Sequence, residues 1–339
     1  MQKVLALGEI LLRLSPPDYL KINQTKTFEA YYGSGEVNVL IGLAQLGLKS
    51  EFVTKIPANA LGYGAVDFLN CYGVNTDKII YGGDRLGLYF FENGYSVRAS
   101  KILYDRINSS FFLSNILDYD FDSILKGVDV LHTCGITPAL NKTLFTVTKR
   151  ILVEAKRRGI TTVCDLNYRK SLWKFEEARI KMAELMEYVD ICIGLEPLQL
   201  LDSDGIDFKE KIAKDNPEQY FAKVMQIMTE RFHLKAVAAT MRQEHSVNEH
   251  TLQSYYYNDK KLYKSKAIDV SILDRLGTGD AFTTGVIYSH TQNFTPQETV
   301  DFANACFALK HTILGDACVF CLDEIKHFLQ SNRPYSIRR

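Results

Sequence analysis

Two glycines and a carboxylate stand together in Asp274-Arg275-Leu276-Gly277-Thr278-Gly279-Asp280-Ala281-Phe282, where the residue pattern turns from loop to helix. Without a Cβ, Gly277 and Gly279 let the backbone come close to an anion and take dihedrals that other residues avoid. The first amides of the following helix lack intrahelical partners and carry the positive end of its dipole, so this spacing predicts a phosphate in transfer beside the Asp280 carboxylate. A capped helix with an acidic first turn accounts for Asp280 equally well, although not for the paired glycines. A second glycine turn, Gly33-Ser34-Gly35-Glu36-Val37-Asn38, opens a helix near the N-terminus and sets Asn38 inside it. Small residues there admit a ligand to the backbone, and an ordinary strand-to-helix turn has the same composition.

Other polar residues divide into candidates and bystanders. Arg106 and Arg169 each present a planar fork of donors that matches a carboxylate, a partner a neutral sugar does not require; a surface ion pair is the alternative fate of either. Cys71, Cys134, Cys164, Cys192, Cys306, Cys318 and Cys321 are scattered, most of them inside apolar runs where a thiol packs as a small hydrophobe. Only Cys318-Val319-Phe320-Cys321 has metal or redox spacing, and with no second ligand pair it reads as packing. His245 and His250 lie in a polar stretch and read as solvated loop histidines.

Bulk composition limits the partners. Forty Lys and Arg balance forty Asp and Glu over 339 residues, so net charge gives no argument for nucleic acid or an anionic membrane, and any anion site must be local. The first residues enter a strand-like pattern without a cleavable leader, and no apolar run is long enough to span a bilayer; a cytoplasmic protein is the expectation.

The elements that must hold these residues alternate between strand and helix, the pattern of an α/β protein with a mainly parallel sheet. Val4 to Leu7, Phe52 to Thr54, Val128 to His132, Thr161 to Asp165, Asp190 to Gly194 and Ala236 to Thr240 read as strands. Glu36 to Leu46 reads as a helix, with Val37, Leu40, Ile41 and Ala44 on one face and Gly47 as its stop. Further helices are expected over 65–72, 142–158, 175–188 and 217–232, and from Asp280, Pro296 and Leu322. Residues 9–32 and 86–106 break the rhythm and read as antiparallel ribbons, the second turning at Asn93-Gly94. Projecting from the sheet, they suit a lid over a cleft or an edge for pairing into a homo-oligomer, a dimer or higher. No linker or repeat divides the chain, so a single domain over 1–339 is expected.

Taken together, the two glycine turns resemble those of the ribokinase-like sugar kinases, the phosphofructokinase B family, whose motifs are a Gly-Gly/Asn helix opening and Asp-Thr-x-Gly-Ala-Gly-Asp-x-Phe. Ile102-Leu103-Tyr104-Asp105-Arg106, Gly135-Ile136-Thr137-Pro138-Ala139-Leu140, Asp165-Leu166-Asn167-Tyr168-Arg169 with Leu172-Trp173, and Leu309-Lys310-His311-Thr312-Ile313-Leu314-Gly315-Asp316 extend the resemblance over nearly the whole chain. These segments point to members acting on 2-keto-3-deoxygluconate. What the resemblance implies is a ribokinase-like three-layer sandwich with a small β-ribbon lid, transferring phosphate from ATP, with Mg²⁺ carried in by the nucleotide and no protein metal ligand, to the 6-hydroxyl of that sugar acid. Asp280 is then the base, with Gly277, Thr278 and Gly279 holding the transferring group. Gly33, Ser34, Gly35, Asn38, Tyr89, Tyr104, Arg106, Arg169 and Asp316 face the sugar, and Gly194, Thr240, Arg242, Gly277, Gly279 and Asn304 the nucleotide. Two departures fall on the nucleotide side. The family's Asn-x-x-Glu element reads Gly194-Leu195-Glu196-Pro197 here, and its Gly-rich loop reads Thr240-Met241-Arg242-Gln243-Glu244-His245-Ser246. A kinase for fructose or a related aldonate, and a non-catalytic sugar- or nucleotide-binding protein, are the alternatives. A dinucleotide oxidoreductase is disfavoured because the first strand is followed by Gly8 alone.

Overall fold

Alternate residues of the first strand, Lys3–Leu7, point into two separate cores. Val4 and Ala6 pack on the side of helices Gly35–Gln45, Thr278–Thr291 and Pro296–Lys310, and Leu5 and Leu7 on that of Lys142–Arg157, Phe175–Met186 and Pro217–Phe232. A strand buried on both faces needs apolar residues throughout, which is why it reads as an unbroken apolar run. The computed structural model describes residues 2–330, so the ends of the expected 1–339 domain, residue 1 and residues 331–339, lie outside the described residues.

The central sheet runs in the order Lys261–Lys264, Glu249–Asn258, Ala236–Glu244, Ile191–Ile193, Thr161–Asp165, Val130–Cys134, Lys3–Leu7, Lys49–Val53 and Val74–Asn75, with Ile268–Ser271 also paired to Glu249–Asn258. It is parallel from Ala236–Glu244 to Val74–Asn75 and antiparallel beyond. Helices on both faces make the three layers of an α/β sandwich.

The two ribbons join into one small sheet, in the order Glu29–Gly33, Leu11–Ser15, Gly87–Glu92 and Lys101–Asp105. Leu11–Ser15 and Gly87–Glu92 run parallel at its centre, and each keeps its antiparallel neighbour outside. The second ribbon does not turn tightly at Asn93-Gly94. Glu92 pairs with Lys101, and the intervening loop closes on itself through paired Tyr95 and Arg98.

Other boundaries also differ from expectation. The helix expected over 65–72 spans Ala60–Cys71, because Asn59 accepts hydrogen bonds from the amides of Leu61 and Gly62 and starts the helix there. The helix expected from Asp280 begins at Thr278. Residues 240–244, compared above with a family loop, continue the strand Ala236–Glu244. Its antiparallel partner puts His250 opposite both Glu244 and Val270, so His250 is buried in the sheet and is not a solvated loop residue. His245 is exposed, in the turn, and shares a 2.7 Å hydrogen bond with the Thr251 hydroxyl. Among the described residues no helix is long and apolar enough to cross a membrane.

Candidate active site

The small sheet meets the C-terminal ends of the parallel strands across a cavity of about 900 Å³. Its lining includes Gly33, Ser34, Gly35, Asn38, Tyr89, Tyr104, Arg106, Arg169, Arg242, Gly277, Thr278, Gly279, Asp280 and Asp316. Thus residues separated by nearly the whole chain, and singled out from sequence, face one space.

The floor is the start of helix Thr278–Thr291. Gly277 precedes it with φ +72°, a left-handed conformation natural to glycine, and supplies no side-chain cap, so the first helical amides are left for a ligand. A side chain at Gly277 would run into the Asp316 carbonyl, whereas a Cβ at Gly279 would meet nothing within 4 Å. The first glycine is therefore required by the fold, while the second leaves open space. Thr278 donates to Arg275 O at 3.0 Å and accepts from Arg242 Nη2 at 2.8 Å, which brings a guanidinium to the same turn. The Arg242 group stacks 4.9 Å from the Phe307 ring, and burial, followed by the charge of Arg275, pushes its pKa down to about 10.

Beside this turn, Asp280 accepts a 2.7 Å hydrogen bond from Asn38 Nδ2. The Asn38 Oδ1 atom is buried without a partner among the described residues. Ser34 caps helix Gly35–Gln45 by accepting from Val37 N, which fixes the start of the helix that carries Asn38. Desolvation lifts the Asp280 pKa to about 7 against the opposing pull of the Asn38 bond; the Asp165 charge adds to the rise and Arg169 reduces it. Asp165 itself is raised to about 6, chiefly by burial, despite the Asn167 amide donating to it at 3.0 Å. Glu36, also raised by burial, accepts from Cys134 Sγ and Thr137 Oγ1, each at 3.0 Å. Burial thus raises all three carboxyl groups, and the charges of Asp165 and Glu36 add to the rise at Asp280.

The wall formed by the small sheet carries a second polar group. Arg13 donates to Asp316 at 2.7 Å, lies 3.7 Å from Asp274, and stacks against Tyr31 and Phe91. Tyr89 donates its hydroxyl to Asp316 and stands 5.7 Å from the Tyr104 ring. Arg106 is buried and donates to Glu9 at 2.8 Å, with Ser109 donating to the other oxygen of the same carboxylate. Arg169 differs: it is exposed at the cavity, and its guanidinium makes no hydrogen bond or ion pair among the described residues.

Three residues expected at the nucleotide do not line the cavity. Gly194 hydrogen-bonds Ala238 O, and Thr240 is paired within the sheet opposite Ser254. Asn304 is fully buried, where it accepts from the Ser254 hydroxyl and donates to Lys266 O; both ends of its amide are spent on joining helix to sheet. Glu196 likewise pairs with Lys209, away from the cavity. Cys318 is buried, with its thiol 3.7 Å from Gly277 O, and Cys321 is exposed. Among the described residues no group of three His, Cys, Asp or Glu side chains is placed to hold a metal ion.

Glu9, Arg13, Glu36, Asp165 and Asp274 were not assigned roles from sequence. All but Glu9 left a signal: Arg13 is a lone charge in Leu11-Leu12-Arg13-Leu14, Glu36 lies inside the first glycine motif, and Asp165 and Asp274 each open a motif quoted above.

Comparison with known proteins gives a consistent picture. The model of the pfkB family carbohydrate kinases matches residues 1–197. A crystal structure of 2-dehydro-3-deoxygluconokinase from Thermotoga maritima is 38% identical, covers 98% of this chain and 100% of its own, and superposes with a TM-score of 0.90. A PfkB family carbohydrate kinase from Listeria grayi is 33% identical over 97% of this chain and 100% of its own, with a TM-score of 0.88. The 2-dehydro-3-deoxygalactonokinase of Haloferax volcanii is 28% identical over 97% of this chain and 96% of its own length.

Proposed function

The chain belongs to the pfkB family of carbohydrate kinases, and on that premise we propose that it moves the γ-phosphoryl group of ATP to the 6-hydroxyl of 2-keto-3-deoxygluconate, giving 2-keto-3-deoxy-6-phosphogluconate and ADP. The observation that carries the reading is Asp280: a carboxylate with a pKa of about 7, held by Asn38 beside an uncapped helix N-terminus. A base poised near the working pH takes a proton most effectively. In the proposed step the Asp280 carboxylate accepts the hydroxyl proton as the sugar oxygen bonds to phosphorus. The bond from the γ-phosphorus to the bridging oxygen breaks, and its electron pair leaves with ADP. Amides at Gly277, Thr278 and Gly279 meet the charge on the transferring oxygens, with Arg242 and Arg275 on the nucleotide side, since phosphoryl transfer asks chiefly for positioning and charge neutralisation. Mg²⁺ entering with ATP would supply further charge neutralisation on the phosphates.

Arg169 supports an acid sugar. Its guanidinium is free to take a carboxylate, whereas Arg106 shares its charge with Glu9 and serves through the hydrogen bonds it has left. Asp316, Tyr89 and Tyr104 then face the sugar hydroxyls, under a small sheet acting as lid. Turnover of ATP with 2-keto-3-deoxygluconate, its galacto epimer, fructose and gluconate tests the assignment. The ketodeoxy acids are expected to lead, and faster turnover of fructose would refute the substrate class. We assign the chain a single kinase domain in the cytoplasm. Leu103, exposed on the edge strand Lys101–Asp105, and Phe28, exposed just before Glu29–Gly33, suit pairing with a second copy, and a monomeric mass in solution would exclude it.

A further inference from the structure

Lys310, the last residue of helix Pro296–Lys310, is completely buried. Lysine carries a strongly hydrated charge and is rarely enclosed without partners. Here the partners are backbone: Nζ donates to Ile313 O at 3.0 Å and to Gly315 O at 2.7 Å, closing the chain into a tight turn after the helix. The side chain passes under the catalytic turn, where a Cβ at Gly277 would lie 3.2 Å from Lys310 Cε. No sugar or nucleotide contact is available to it, because it does not line the cavity.

The turn it closes is bound near both its ends to the residues that lead into the glycine turn. Leu273 N donates to His311 O at 2.8 Å, and Gly315 N donates to Asp274 Oδ2 at 3.0 Å, while Asp274 Oδ1 accepts from Leu276 N. Gly315 takes φ +84° and leads directly into Asp316. The same ammonium thus fixes two things at once: the strand of backbone that ends in Asp316, and the bed on which Gly277 rests.

We propose that Lys310 is a positioning residue for phosphoryl transfer, its buried ammonium holding turn 311–316 against the glycine turn so that the amides of residues 277–279 and the Asp316 carboxylate keep one fixed arrangement. The proposal rests on the kinase reading above for its catalytic consequence and on the fold alone for its structural one. A displacement of about 1 Å at a reacting group costs about 10²-fold in rate. Lys310→Met should therefore lower kcat about 10- to 100-fold and raise KM for the sugar, whose hydroxyls face Asp316, with KM for ATP within about threefold of wild type. In Lys310→Ala the vacated space admits a small cation, so ammonium or methylammonium should raise kcat saturably in the variant and not in wild type. Amide exchange at 274–279 and 311–316, measured on the full chain without substrates, should accelerate at least about tenfold in Lys310→Met, while the helix Lys142–Arg157 is unchanged. Wild-type kcat in Lys310→Met, no stimulation of Lys310→Ala by either cation, or unaltered exchange in both turns would each overturn the proposal. Should both neutral variants fail to fold, Lys310→Arg keeps the charge but forks the donors; it is expected to fold and lose at least about fivefold in kcat, and full activity would overturn the proposal. Wild type inactive on every sugar would count against the kinase reading instead, and the exchange comparison would still decide the role of Lys310.

Discussion

Asp280→Asn separates what this carboxylate does for catalysis from what it does to the fold. Asparagine keeps the shape and can still accept from Asn38 Nδ2, but it takes no proton. With a pKa of about 7, Asp280 is ionised in about a tenth of molecules at pH 6 and about nine-tenths at pH 8, so wild-type kcat/KM should rise about eightfold to tenfold across that interval. The variant should lose about 10²- to 10⁴-fold in kcat, and its residual rate should not depend on pH in that way. Stability should move oppositely. Because the folded-state pKa lies above the ordinary carboxyl value of 3.8, the group's contribution to stability is whole below about pH 4 and is lost as pH rises through 7. The rise from 3.8 to about 7 corresponds to about 4 kcal/mol in full; on the wall of a solvent-open cavity, about 1–2 kcal/mol is expected. The variant should thus melt higher than wild type at pH 8 and equally near pH 4. Coupled-assay rates from pH 5.5 to 8.5 and thermal melts at both pH values are sufficient. Undiminished turnover in the variant, or a flat wild-type profile between pH 6 and 8, would refute the assignment of Asp280 as base.

Three further perturbations probe other parts of the cavity. Gly279→Ala places a methyl group in open space within a helix, so stability should hold or rise by up to about 1 kcal/mol while kcat falls at least about tenfold; a kcat at the wild-type level would show that no phosphate approaches there. Arg169→Met removes a guanidinium that bonds to nothing in the fold, and should raise KM for the sugar acid about 10- to 100-fold at unchanged melting temperature, as initial rates against sugar concentration will report. Arg13→Met strips Asp316 of its buried counter-ion and should cost about 3–5 kcal/mol by denaturant titration, with a loss below about 1 kcal/mol contradicting the role given to the pair.

The glycine turn was legible because its geometry is local: the need for glycine at 277 and the helix start that carries Asp280 follow from a few consecutive residues. The sheet was legible for a similar reason, since a strand such as Lys3–Leu7 declares burial on both faces by its own composition. What escaped was set by distant partners. Nothing near Arg13 indicates Asp316, nothing near Arg106 indicates that Glu9 already occupies it, and Asn304 is drawn into the core by Ser254, on another element. His250 was misplaced because polar neighbours suggested a loop, whereas pairing to Val270 as well as Glu244 buried it. That second partner strand has no signature within residues 245–250.

The bonds that complete this cavity join Asn38 to Asp280, 242 positions away, and Arg13 to Asp316, 303 positions away. A chain leaving the ribosome therefore makes its first glycine turn and its small sheet long before their carboxylate partners exist, and Arg13 waits uncompensated until almost the last helix is synthesised. Contacts of such sequence separation form late because loop closure must be met before they contribute. Completion of the proposed site thus waits on completion of the fold: a chain that ended at residue 315 would lack Asp316, the partner of both Arg13 and Tyr89.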